Sequence, residues 1–132
     1  MPKRYLWVLA VLAFAPAPAS AQAYPAKPVK LVVGFAPGGA ADFVARSFQD
    51  GLSKELGQQV IVENRAGAGS SIAAEYVAKS VPDGYTFLIA TSGTFGVNPS
   101  LYTDLPYKPL VDFKPITNII KGPLVIVAHP SF

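Results

Sequence analysis

Serine, threonine and glycine are the residues with chemistry to offer in this sequence. It has no cysteine and a single histidine, His129. Without thiols there are no disulfides, zinc ribbons or redox CxxC pairs, and one histidine is thin material for a metal cluster or a Ser-His-Asp triad. The small polar residues instead gather in three loops: Ala36-Pro37-Gly38-Gly39-Ala40-Ala41, Ala66-Gly67-Ala68-Gly69-Ser70-Ser71 and Thr91-Ser92-Gly93-Thr94-Phe95-Gly96. None contains Lys or Arg, so what they offer an anion is backbone amides, hydroxyls and helix-start dipoles. A carboxylate is the most economical occupant.

Other readings of the same residues were weighed. Gly67-x-Gly69 resembles the start of a dinucleotide fingerprint, but Ile72 stands where the third glycine belongs and no acidic residue follows in place. No Gly-Lys-Ser/Thr occurs, so a nucleotide P-loop is excluded. The plainer reading, that Gly38, Gly39, Gly67 and Gly69 only permit tight turns, stays open for any one loop; three loops on one edge count against it. Asp42 reads as a helix N-cap before it reads as a catalyst. Glu63 and Arg65 read as a structural pair, and Ser92 has no base near it in sequence and no nucleophile elbow. His129 reads as structural or solvent-facing.

The elements that must position these loops are legible from periodicity. Val29-Lys30-Leu31-Val32-Val33-Gly34-Phe35 is nearly continuously apolar, as suits a strand buried on both faces of a parallel sheet. From Asp42, Val44, Phe48, Leu52 and Leu56 recur every four residues, an amphipathic helix that Gly57 ends. A second strand is expected over residues 59–63. A helix over 72–81 follows, with Ile72, Tyr76 and Val77 inward, then the turn Pro82-Asp83-Gly84 and a third strand over 85–90. This βαβαβ order predicts an α/β fold with right-handed crossovers and helices on both faces of a parallel sheet. Ligands bind at the carboxyl edge of such sheets, where all three loops fall. Residues 91–114 read as loop with one or two helical turns around residues 100–102, and apolar runs follow at 116–120 and 124–128.

The N-terminal residues read separately. A basic head, Lys3-Arg4, eleven apolar or aromatic residues from Tyr5 to Ala15, and Ala19-Ser20-Ala21 form a secretory signal pattern. Cleavage is expected after Ala21, leaving 111 residues. An apolar run of eleven falls short of the ~20 residues a spanning helix needs. Without Lys3 and Arg4, 9 Lys and Arg face 8 Asp and Glu, a net charge of +1, and that near-neutral, dispersed pattern gives no footprint for nucleic acid.

Taken together the residues resemble a family. Tyr24-Pro25 with Pro28, Phe35-Ala36-Pro37-Gly38-Gly39 with Asp42 and Ala45-Arg46, Leu56-Gly57-Gln58, Val62-Glu63-Asn64-Arg65-Ala66-Gly67-Ala68-Gly69, Pro82-Asp83-Gly84-Tyr85-Thr86, Asn98-Pro99 with Leu101-Tyr102, Leu105-Pro106-Tyr107 and His129-Pro130-Ser131 are similar to the Bug, or tripartite tricarboxylate receptor, family of periplasmic solute-binding proteins. The resemblance implies a type II-like periplasmic binding protein whose two α/β lobes close on a small carboxylated solute for delivery to membrane transporter subunits. Residues 22–132 would be part of the first lobe, with the second lobe missing. It further implies a non-enzymatic, periplasmic protein without cofactor or metal. Carried over by position, the ligand-binding residues are Phe35, Pro37, Gly38 and Gly39; Ala66, Gly67, Ala68, Gly69 and Ser70; and Thr91, Ser92, Gly93 and Thr94. Ala66 stands where the family often has proline, and Ser70 and Ser71 where glycine is usual, so the second loop is expected to differ in shape. The alternative weighed is a small exported α/β hydrolase or transferase using the same loops.

Overall fold

A computed structural model describes residues 23–122 and 125–131. The signal pattern, the cleavage position after Ala21 and Leu124 of the last apolar run lie outside the described residues.

Three parallel strands form one sheet in the order β2-β1-β3. β1 (Val29–Val33) is central. It pairs with β2 (Val60–Asn64) from Val29↔Val60 to Val33↔Asn64, and with β3 (Thr86–Ile89) from Lys30↔Thr86 to Val33↔Ile89. Its β-branched, apolar residues suit a strand with neighbours on both sides, and Val29, Val32 and Val33 are fully buried. On one face, α1 (Ala40–Leu56) lays Phe48, Leu52 and Leu56 over Val29, Leu31 and Val60. The chain steps from β1 to β2 in one direction and from β2 to β3 in the other, so right-handed crossovers put α2 (Ser71–Ala78) on the opposite face.

The expected βαβαβ order is the observed one, and several details differ. The first strand ends at Val33, leaving Phe35 in the loop. α1 begins at Ala40, and Gly39 rather than Asp42 is its N-cap, with no side-chain cap bond; Asp42 lies inside the first turn and its carboxylate turns back toward the loop. Gly57 ends the helix as read, in the left-handed region at φ 63°. α2 stops at Ala78, short of Val81, and turns inward Ser71, Ala73 and Ala74 rather than Ile72, which is half exposed. Alanines let this helix sit close to the sheet, while Ile72 covers Gly67, where an added Cβ would lie 2.5 Å from its Cδ1. After β3, a π-helical turn (Gly93–Val97) runs into α3 (Asn98–Leu101), so helix begins well before residue 100.

Two further features fasten the unit. Before β1, Tyr24 donates to the Gly84 carbonyl at 2.5 Å, the Ala26 amide donates to the Tyr85 hydroxyl at 2.8 Å, and Lys27 pairs with Asp83 at 2.8 Å. Past α3, Tyr107 is buried and Phe113 packs edge-on against it and Phe95. Beyond Phe113 the described residues contain no helix or strand, and Ile116, Ile120, Val125, Ile126 and Val127 are exposed.

Candidate functional site: three loops on one sheet edge

All three loops leave the carboxyl ends of the parallel strands, so the structure brings the sequence-predicted residues to one edge. Loop 1 follows β1. Gly34, its first residue, is buried, and a Cβ there would lie 1.9 Å from Ser70 Oγ; only glycine lets the loops approach this closely. Phe35 is half-buried, and Pro37, Gly38 and Gly39 are exposed.

Loop 1 is tied down by a polar cluster. Asp42, 3% exposed, accepts from the Gly38 amide at 2.9 Å, from Arg46 Nε at 3.0 Å and from Asn64 Nδ2 at 2.9 Å. These partners, the Arg46 guanidinium first, then the Gly38 amide and Asn64, hold the Asp42 carboxyl well below the usual carboxylate range, and Asp42 raises Arg46 in return. A buried carboxylate needs such pairing. With Arg46 beside it, Asp42 adds no uncompensated negative charge to an edge that would take an anion.

Loop 2 follows β2 and has positive φ at four successive residues: 138° at Gly67, 44° at Ala68, 60° at Gly69 and 76° at Ser70. At the two non-glycine positions this costs about 1–2 kcal/mol each, so the surroundings must hold the shape. The Ser70 amide bonds to the Gly67 carbonyl at 2.9 Å. Asn98, from α3, donates through Nδ2 to the Gly69 carbonyl at 2.8 Å and to Ser71 Oγ at 3.2 Å. The expected difference in shape at Ser70 is thus a left-handed residue whose hydroxyl is buried over Gly34 without a partner among the described residues.

Loop 3 follows β3. The Thr91 amide donates to Thr94 Oγ1 at 3.3 Å, and Tyr107 donates to the Thr94 carbonyl at 2.5 Å while lying 3.4 Å from Asn98 Nδ2. Asn98 and Tyr107 therefore join loop 2 to loop 3, as Asn64 joins loop 1 to β2. Asn64, Asn98 and Tyr107 fall within the family-like motifs, and the sequence alone assigns them no role. No pattern within a few residues of any of the three points to its partner, since Asn64 lies between Glu63 and Arg65 and Tyr107 precedes Lys108.

The hydroxyls of Ser70 and Thr94 are buried, and that of Ser92 lies on an exposed residue. The Gly38 amide is taken by Asp42. Among the described residues, the amides of Ala40, Ala41, Gly67, Ala68 and Gly69 make no backbone hydrogen bond. The edge therefore offers open donors at the start of α1 and along loop 2. A groove of about 700 Å³ lies elsewhere, beside α2 and the starts of β1 and β3. Its cations are matched: Lys27 with Asp83, Lys79 with Glu75 at 2.5 Å, and Arg65 and Lys30 with Glu63 at 2.6 and 3.5 Å. It offers paired surface charge rather than free donors. Among the described residues no group of His, Cys, Asp and Glu could hold a metal ion.

Known proteins resemble this chain in sequence and in fold. The profile of the tripartite tricarboxylate transporter family receptor matches residues 44–132. BugT of Bordetella pertussis is 45% identical over 116 residues, 87% of this chain and 36% of BugT. Among solved structures, the periplasmic binding protein BugD superposes with a TM-score of 0.68 at 46% identity, over 70% of this chain and 31% of BugD. MatC of Rhodopseudomonas palustris, solved with bound malate, gives 0.67 at 42% identity over 70% of this chain and 31% of MatC. The chain spans about a third of the length of the curated relatives it matches. With its parallel sheet, its three edge loops and this match, the chain belongs to the tripartite tricarboxylate transporter receptor family.

Proposed function

We propose that the chain forms part of a periplasmic receptor that captures a small carboxylated solute and delivers it to membrane transporter subunits. The carboxylate is held by the loops at residues 35–41, 66–70 and 91–94. The observation that carries the reading is the edge itself, with open amides on α1 and loop 2, no Lys or Arg in any loop, and the Asp42 charge matched by Arg46. Amides of this kind suit a carboxylate. Likeness to MatC, solved with malate, supports the solute class. No helix among the described residues is long and apolar enough to cross a membrane, and export with cleavage after Ala21 rests on the N-terminal signal pattern.

Binding without turnover is part of the reading. The family is one of receptors, and His129 is engaged with Ser131 at 2.6 Å. Exposed amide and dipole interactions are each worth ~0.3–1 kcal/mol, so affinity needs enclosure by the rest of a receptor. The test is a graft in which residues 23–122 replace the matching part of MatC. Calorimetry with malate and with its diamide is expected to show binding of the acid and loss of the diamide. Equal affinity for both, or no binding of malate, would sink the proposal.

A further inference from the structure

We propose that Asn64 is a positioning residue for the solute site, acting through loop 1 without touching the solute. The inference rests on the functional reading above and deepens it. Asn64 is the last residue of β2, in register with Val33, so it stands where the loops begin. Its side chain works in three directions. Nδ2 donates to the Phe35 carbonyl at 3.0 Å and to Asp42 Oδ1 at 2.9 Å, and Oδ1 accepts from Arg46 Nη2 at 3.1 Å. Phe35 opens loop 1. Asp42 closes it and holds the Gly38 amide at 2.9 Å. One amide group therefore grips both ends of the segment that carries Ala40 and Ala41, whose amides are open.

The chemistry demands asparagine. An aspartate would put a second carboxylate against Asp42 and bring no proton to the Phe35 carbonyl; an alanine would take the Asn64 donor from the Phe35 carbonyl and leave Asp42 only Gly38 and Arg46. Because Asn64 belongs to the strand from which loop 2 leaves, the same contact sets the spacing between loops 1 and 2. A carboxylate bridging amides on two loops depends on that spacing, since hydrogen bonds weaken steeply with misplacement.

The experiment uses the MatC graft, with malate affinity read by calorimetry and the melting temperature read without solute. If the unsubstituted graft does not bind malate, the functional reading falls and this proposal falls with it. If it binds, Asn64→Ala is expected to weaken malate about tenfold, the worth of roughly one hydrogen bond. Asn64→Asp should lower both affinity and melting temperature. The exchange Asp42→Asn with Asn64→Asp restores an acid–amide pair and leaves Arg46 a carboxylate, so the melting temperature should recover. Affinity should not, because the Phe35 carbonyl still lacks its donor. A split between the two readouts supports positioning. Recovery of both by the exchange, or full malate affinity in Asn64→Ala, overturns it. Should Asn64→Asp fail to fold, the alanine variant and the exchange still decide.

Discussion

β1 and the stretch around Ile126 are built from the same kinds of residue and meet opposite fates. Val29 and Val32 are 0% exposed, whereas Ile126 and Val127 are 103% and 83% exposed. β1 has a strand on each side, α1 over one face and α2 over the other. Among the described residues nothing covers residues 125–127. Burying one such side chain is worth about 1.5–3 kcal/mol, so β1 realises a stabilisation that the later stretch leaves unused. Apolar composition sets what a segment gains from cover, and topology decides whether cover is there.

The largest effects should separate these regions. Leu31→Ala is expected to cost about 2–5 kcal/mol, and Ile126→Ala less than about 0.5 kcal/mol; urea denaturation of both variants measures the gap. Equal losses would erase the contrast. Gly34→Ala should cost about 1–3 kcal/mol by overpacking, because its methyl would meet Ser70 Oγ at 1.9 Å and the Ser70 Cα at 2.9 Å. Tyr107→Phe should cost about 0.5–1.5 kcal/mol by leaving the Thr94 carbonyl without its donor.

Acid should sharpen the comparison more gently. Asp42 and Asp83 are both held below their ordinary values, Asp42 by Arg46, Gly38 and Asn64, and Asp83 by Lys27 and the Tyr85 amide. A depressed carboxyl contributes stability that is full above its unfolded value of about 3.9 and is lost as pH falls through the lower folded value. The melting temperature should therefore be insensitive to these groups between about pH 5 and 8 and fall below about pH 4. Asp42→Asn should flatten that acid limb, and an unchanged limb would count against the cluster. Smallest in stability terms is Ile126→Lys, which should leave the melt unmoved yet reduce self-association in sedimentation runs, since an exposed apolar stretch and the open edges of β2 and β3 template contacts between copies.

What the sequence disclosed, and what it hid, follows the same division between local and distant causes. The strand-helix alternation, the three loops on one edge and the Gly57 stop follow from periodicity and turn chemistry within a few residues. The inward face of α2 departs from the expected one because Ile72 outranks Ala73 and Ala74 in hydrophobicity, whereas close packing on the sheet selects the alanines. Asp42 looked like a cap because nothing local showed its bond with Asn64, 22 positions away. Asn98 reaches Gly69 across 29 positions, and no local pattern announces such a partner. The left-handed run through Ala68 and Ser70 is hidden for the same reason: what holds it comes from α3.

The fastening of residues 24–27 has a bearing on the order in which the molecule is assembled. A chain is synthesised from its first residues onward, so the sheet's middle strand appears before either flank. Tyr24 finds its acceptor only when Gly84 arrives, 60 positions later, and Lys27 waits 56 positions for Asp83. Over that interval the start of the described chain has no anchorage and β1 has one side open. The last strand among the described residues both gives β1 its second neighbour and ties down the residues before it, so those early residues stay accessible to handling until β3 has paired.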